Sequence, residues 1–250
     1  MKDSLDSNLP LINLYKKSNL KSGVITQLIY GDSFKILKKS SSWNKIKIKH
    51  DRYIGYIKNR KFPKSIYPNF KVFVLKARLF ISPRTNKKLK KFLPFGSKIK
   101  VIKKFRKFGK FGKFGKNWIQ MSDLKPVRFK YKDNFANVKL FKNVRYVWGK
   151  KSYKGIDCSA LVQLFLNQNN KFCPRDTKDQ EKYFKRRIKL KNIKKNDMIF
   201  WKGHVAIVLS KNKLIHAYGP MKKVVVMNIK ETIERIDKTA NLRVTSIRRI

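Results

Sequence analysis

Cys158 stands in the stretch "YKGIDCSALVQ", residues 153–163, between an aspartate and a serine and at the mouth of an apolar run with helical spacing. A thiol in the first turn of a helix lies near unpaired backbone N–H groups and the positive end of the dipole, and both favour the thiolate. Asp157 is placed to be the N-cap. A nucleophilic cysteine also needs a base, and the chain offers three histidines, His50, His204 and His216. His50 reads as an exposed strand residue. His204 and His216 fall on consecutive predicted strands, "HVAIVLS" and "KLIHAY". An odd hairpin loop such as Ser210-Lys211-Asn212 puts them on one sheet face as diagonal neighbours, the arrangement of a base and its orienter; an even loop puts them on opposite faces. The competing readings are a buried apolar role for Cys158 and a satisfied core role for His216. Cys173, in "KFCPRDT", lacks a helix start and is expected to be structural. Two cysteines are too few for a disulfide framework, and no C-x-x-C or H-E-x-x-H pattern suggests a metal.

The elements that must position these residues follow from periodicity. "ALVQLFL" after Ser159 suits a buried helix, while "DMIFW", "HVAIVLS" and "KLIHAY" read as short strands between turns. A helix followed by antiparallel strands is an α+β unit. A linker around Val127–Asp133 separates it from an amino-terminal half with an internal repeat. "GDSFKILKK" from Gly31 and "GSKIKVIKK" from Gly96 share glycine, lysine and aliphatics at matching offsets, and each leads to a tryptophan, Trp43 or Trp118, near the start of a strand. Units of about 55–60 residues built from short strands have the size of small closed barrels. Through Gly31, Trp43 and "GYI" at 55–57, and more sparsely through Gly96 and Trp118, this half resembles tandem bacterial SH3-like domains. The run "FRKFGKFGKFGKN", residues 105–117, is expected to be a hairpin extension; interleaved aromatics and lysines that stack on nucleic acid are the alternative.

The formal charge of +50 invites a nucleic-acid reading. Residues 1–130 carry 35 Lys and Arg against five Asp, and the remaining 120 carry 29 against nine acidic residues, so the excess has no focus. Lysine-biased composition, which favours encounter with any polyanion, explains it better than a binding face. The opening residues lack a signal-peptide profile and no apolar run is long enough to span a bilayer. The expected compartment is the cytoplasm.

"YVWGKKSYKGIDCSALVQ" from Tyr146, "PRDTKDQ" from Pro174, "NDMIFWKGHVAIVL" from Asn196 and "IHAYG" from Ile215 together resemble, in order, the NlpC-type cell-wall cysteine peptidases. The resemblance implies a papain-like catalytic domain over residues 133–250, preceded by SH3-like barrels at 8–62 and 68–127. It implies Cys158 as nucleophile, His204 as general base, His216 as orienting third member and Tyr146 as an oxyanion donor, with neither metal nor cofactor. It also implies hydrolysis of stem peptides between the γ-carboxyl of D-glutamate and a diamino acid. In SH3-bearing members, Asp157 and Ser159 are expected to hold the free amino end of L-Ala, with Tyr53 or Tyr56 contributed by an SH3-like domain. The chain departs from the family pattern at Lys150, Ala160 and Ala206. The partners expected are peptidoglycan-derived peptides. An exported wall-remodelling endopeptidase and a basic nucleic-acid-binding protein without catalysis are the alternatives.

Overall fold

The computed structural model describes residues 4–84, 88–105 and 110–250. It divides into two compact units, Met1–Lys130 and Tyr131–Ile250.

The first unit is all-β with two cores. Strands β1 (Leu5–Asp6), β2 (Leu11–Tyr15), β3 (Val24–Ile29), β4 (Ser33–Lys39), β5 (Trp43–Ile48) and β6 (Ile54–Lys58) form one antiparallel sheet in the order β1-β4-β5-β6-β2-β3. Alternation buries Leu14, Leu28, Phe34, Ile46, Ile48 and Ile57 on one face. The expected closed barrel is an open SH3-like sheet among the described residues. Instead of a ladder between edges β1 and β3, Gly31 N–H donates to Ser7 O and Ser7 N–H donates to Asp32 O. His50, expected on a strand, lies in the turn after β5 between the carboxylates of Asp32 and Asp51.

The second copy is split between two sheets. Strands β7 (Phe70–Val72), β10 (Lys98–Ile99) and β14 (Leu124–Pro126) form one, in the order β10-β7-β14. Strands β8 (Lys76–Phe80), β9 (Lys88–Pro94), β11 (Lys103–Phe105), β12 (Phe111–Phe114) and β13 (Asn117–Gln120) form the other, in the order β11-β12-β13-β8-β9. Within the Phe-Gly-Lys run Phe111–Phe114 form β12, an interior strand paired antiparallel with β11 and β13; residues 106–109 of the run lie outside the described residues. Phe111 and Phe114 are buried, edge-on to Phe80 and Tyr30, so these two rings serve the core and present no stacking face to a base.

In the second unit a short hairpin, β15 (Lys151–Ser152) and β16 (Gly155–Ile156), leads into α1 (Cys158–Gln168) and then α2 (Thr177–Tyr183). A six-stranded antiparallel sheet follows, β17 (Arg186–Arg187), β18 (Met198–Trp201), β19 (His204–Val208), β20 (Lys213–Tyr218), β21 (Lys223–Asn228) and β22 (Val244–Arg249), in the order β17-β22-β18-β19-β20-β21. Helix α3 (Ile229–Ala240), capped by Asn228, buries Ile229 and Ile236 in the same core as Trp201, Ala206, Val208 and Leu214. Helix α1 is apolar almost all round, as a helix enclosed by its neighbours must be.

The repeat has a backbone origin. Gly31 and Gly96 both adopt positive φ, +79° and +85°, and place Phe34 and Ile99 three residues later in their cores. At Gly31 a Cβ would also sit 2.1 Å from the carbonyl oxygen of Lys98. Gly31→Ala is therefore expected to cost about 2 kcal/mol or more. A lowered denaturation midpoint checks this, with Gly23→Ala, whose Cβ would meet nothing, as the comparison for positive φ alone.

Candidate active site

The site is assembled around the residue before the cysteine. Asp157 has extended backbone, φ −99° and ψ 174°, and its Oδ1 accepts the Ala160 N–H at 2.9 Å, which starts α1. The same carboxylate accepts Gly149 N–H at 2.8 Å and a bidentate pair from Arg175, Nη1 to Oδ1 at 3.0 Å and Nη2 to Oδ2 at 2.6 Å. Ser159 Oγ donates to Asp157 Oδ1 at 3.3 Å and accepts from Arg175 Nη1 at 2.9 Å. Asp157 and Ser159 are both buried. The Asp157 carboxylate oxygens are thus met from within the fold, and a buried guanidinium balances the charge. Tyr53 and Tyr56 belong to the first unit, where Tyr53 packs against the first core and Lys45 lies 6.0 Å over the Tyr56 ring.

Cys158 is the first residue of α1 and is buried. Its Sγ lies 3.9 Å from Thr177 Oγ1 and donates toward Gly203 O at 3.9 Å. The backbone of Val205 also hydrogen-bonds the sulfur, so the thiol rests against the residues on either side of His204. The helix start does not produce a resting thiolate. Burial, then the charge of Asp157, push the thiol up to about 11, outweighing the Val205 backbone, Thr177 and Arg175. Tyr146 is pushed up to about 12 by burial and then by its proximity to Cys158 and Asp157, which keeps its O–H a donor. Its backbone is held by Tyr146 N–H donating to Lys222 O and by a bridge to Ile156.

The two histidines are brought together by register. Strand β19 pairs with β20 through Ile207 opposite Ile215 and Val208 opposite Leu214, and Leu209 N–H closes on Lys213 O, which leaves the odd loop 210–212. His204 and His216 therefore share a face diagonally, with His204 Nε2 2.9 Å from His216 Nδ1. His216 is fully buried, stacked on Tyr218 at 4.7 Å, and its Nε2 lies 3.4 Å from Met227 Sδ. Burial lowers His204 to about 4, and burial with the neighbouring ring lowers His216 well below the ordinary range. The resting pair is a neutral thiol with a neutral imidazole.

The family model of NlpC/P60 matches residues 143–241, and that of the bacterial dipeptidyl-peptidase Sh3 domain matches residues 14–62. The second unit is an NlpC/P60 domain. The gamma-D-glutamyl-L-lysine dipeptidyl-peptidase of Bacillus subtilis (strain 168) is 26% identical over 229 residues, covering 83% of this chain and 77% of that protein. Dipeptidyl-peptidase 6 of Lysinibacillus sphaericus is 36% identical over 72 residues, 29% of this chain and 27% of its own length. The murein DD-endopeptidase MepS/murein LD-carboxypeptidase of Escherichia coli (strain K12) is 32% identical over 97 residues, 36% of this chain and 50% of its own length. The chain thus spans half or less of these last two relatives. The crystal structure of an NlpC/P60 family protein from Bacillus cereus ATCC 10987 has the same fold, with a TM-score of 0.80 at 15% identity over 99% of both chains.

Several residues that build the site of the NlpC/P60 domain carry no signal that spacing alone would assign. Arg175 and Thr177 lie in "PRDTKDQ", as does Gln180, whose Nε2 donates to Ser159 O and Pro174 O at 2.9 Å each. The polar triplet Arg-x-Thr-x-x-Gln at a helix start was their only mark. Met227 looked like any strand methionine.

Two outcomes follow from burial. Arg175→Met strands the Asp157 carboxylate and is expected to cost about 3–5 kcal/mol in chemical denaturation. The neutral histidines have depressed pKa values in the fold, so their contribution is full above the unfolded value of about 6.5 and is lost as pH falls toward 4. A denaturation series from pH 7 to 4 should show stability dropping across this window, with a shallower drop in His204→Gln/His216→Gln.

Proposed function

We propose that the NlpC/P60 domain is a cysteine peptidase that hydrolyses peptidoglycan stem peptides. Its bond is that between the γ-carboxyl of D-glutamate and the diamino acid, in short muropeptides with a free N-terminal L-Ala. The observation that carries the peptidase reading is the constellation itself: a helix-start thiol packed against the backbone flanking His204, whose other ring nitrogen is bonded to His216. The finer specificity is supported by the match to an SH3 domain described for bacterial dipeptidyl-peptidases and by the name of the Bacillus subtilis relative. The cytoplasm is the setting we assign.

In this mechanism Cys158 S–H gives its proton to His204 Nδ1 as Sγ attacks the scissile carbonyl carbon. No thiolate need pre-exist, which fits a thiol pushed up to about 11 beside a base lowered to about 4. The tetrahedral oxyanion is held by unpaired N–H groups at the start of α1 and by the Tyr146 hydroxyl. The C–N bond breaks as His204 returns the proton to the leaving amine. Water, losing a proton to His204, then attacks the thioester, and the proton passes back to sulfur as the acid is released.

Mass spectrometry of L-Ala-γ-D-Glu-diaminopimelate after incubation with the protein tests the reading. Wild type and Cys173→Ala, whose sulfur is buried against Pro174 O, should release the dipeptide L-Ala-γ-D-Glu, whereas Cys158→Ala should not. Equal loss from both substitutions in folded proteins would defeat the nucleophile assignment. Equal rates on the N-acetylated peptide would defeat the free-amine preference and favour a wall-remodelling endopeptidase.

A further inference from the structure

The proton positions on the two histidines decide whether His204 can act as a base, and a residue outside the trio fixes them. His204 Nε2 and His216 Nδ1 are 2.9 Å apart, and one of them must donate to the other. If His216 held its proton on Nδ1, His204 would accept at Nε2 and carry its own proton on Nδ1, the nitrogen left for the thiol. It would then be unable to take one. The other end of His216 breaks the symmetry. Its Nε2 faces Met227 Sδ at 3.4 Å, and a thioether sulfur accepts a hydrogen bond but has no hydrogen to donate. Met227 sits on β21 opposite Leu214, which puts it diagonal to His216, itself opposite Val225.

We propose that Met227 is a positioning residue that sets both tautomers. Its sulfur accepts from His216 Nε2–H, the His216 Nδ1 lone pair then accepts from His204 Nε2–H, and His204 Nδ1 is left unprotonated. The chain Met227–His216–His204 has one direction of donation because it ends on a group that can only accept. The full burial of His216, which keeps it neutral, prevents the alternative in which both its nitrogens donate. The catalytic consequence rests on the peptidase reading above; the tautomers themselves do not.

The test uses the full chain with 15N-labelled imidazoles, three histidines in all, and reads the tautomers in the absence of substrate. Wild type should show both His204 and His216 protonated on Nε2. Met227→Leu keeps the bulk but removes the acceptor, and should give a mixture of His216 tautomers. Alongside, kcat should fall about tenfold with little change in KM, short of the ~10²–10⁴ expected from losing proton transfer outright. Selenomethionine in place of the methionines, which keeps a group at 227 that can only accept, should retain the single tautomer and most of kcat. A wild-type His216 protonated on Nδ1, or a Met227→Leu protein with both wild-type tautomers and wild-type kcat, overturns the proposal. An inactive wild type with the stated tautomers would instead count against the peptidase reading and leave the proton arrangement standing.

Discussion

The buried pair between Asp157 and Arg175 is the interaction on which the rest of the site depends. A carboxylate in a dry environment is stable only if its charge is met and its lone pairs are filled. Here the partners that fill them come from three separate pieces of chain: Gly149 from the loop that carries Tyr146, Ser159 and Ala160 from the first turn of α1, and Arg175 from the segment that precedes α2. One side chain thereby fixes the helix start that bears the thiol, the tyrosine beside it and Thr177 against its sulfur. The cost is electrostatic. The same negative charge opposes the thiolate, so the fold holds Cys158 in place by means that keep it protonated at rest.

The sheet supplies the other half by register alone. With a side-chain period of two, one inserted or deleted residue in the loop 210–212 would send His216 to the far face while leaving the strands intact. The packing around the pair discourages such slippage. Leu214 and Tyr218 belong, with Ala206 and Val208 of β19, to the core on the histidines' face, and a one-residue slip of β20 would turn Leu214 and Tyr218 out of it. The core thus stabilises the register, and the register places His204 against His216.

Much of this was legible in sequence because the relevant patterns are local. Asp157-Cys158 before an apolar run, the glycines at positive φ and the strand alternation of "HVAIVLS" and "KLIHAY" each encode a short-range rule. What was not legible depends on distant partners. The N-cap role of Asp157 was legible, but nothing in its neighbourhood reveals that Arg175, eighteen residues on, returns to it. The expected thiolate failed for a related reason: the dipole of a helix start is a local term, whereas the burial that outweighs it is set by the whole unit. The Phe-Gly-Lys run was legible as paired strands, and β12 does pair antiparallel with β11 and β13, but composition does not reveal that Phe111 and Phe114 turn into the core.

A neutral resting pair has a consequence for how such a site discriminates between molecules. A preformed thiolate would react with any accessible electrophile, whereas in the mechanism we propose a buried thiol beside a neutral imidazole becomes nucleophilic only as its proton moves, and that transfer is favourable only while an oxyanion is forming against the N–H groups of α1 and the Tyr146 hydroxyl. Selectivity then lies in the transition state. A substrate that fills the cleft without placing its carbonyl oxygen near those donors leaves sulfur protonated and inert. On a chain with a formal charge of +50, to which anions of every kind are drawn, the proposed mechanism would separate encounter from reaction: the diffuse charge would bring ligands in without distinction, and the geometry around Cys158 would decide which of them reacts.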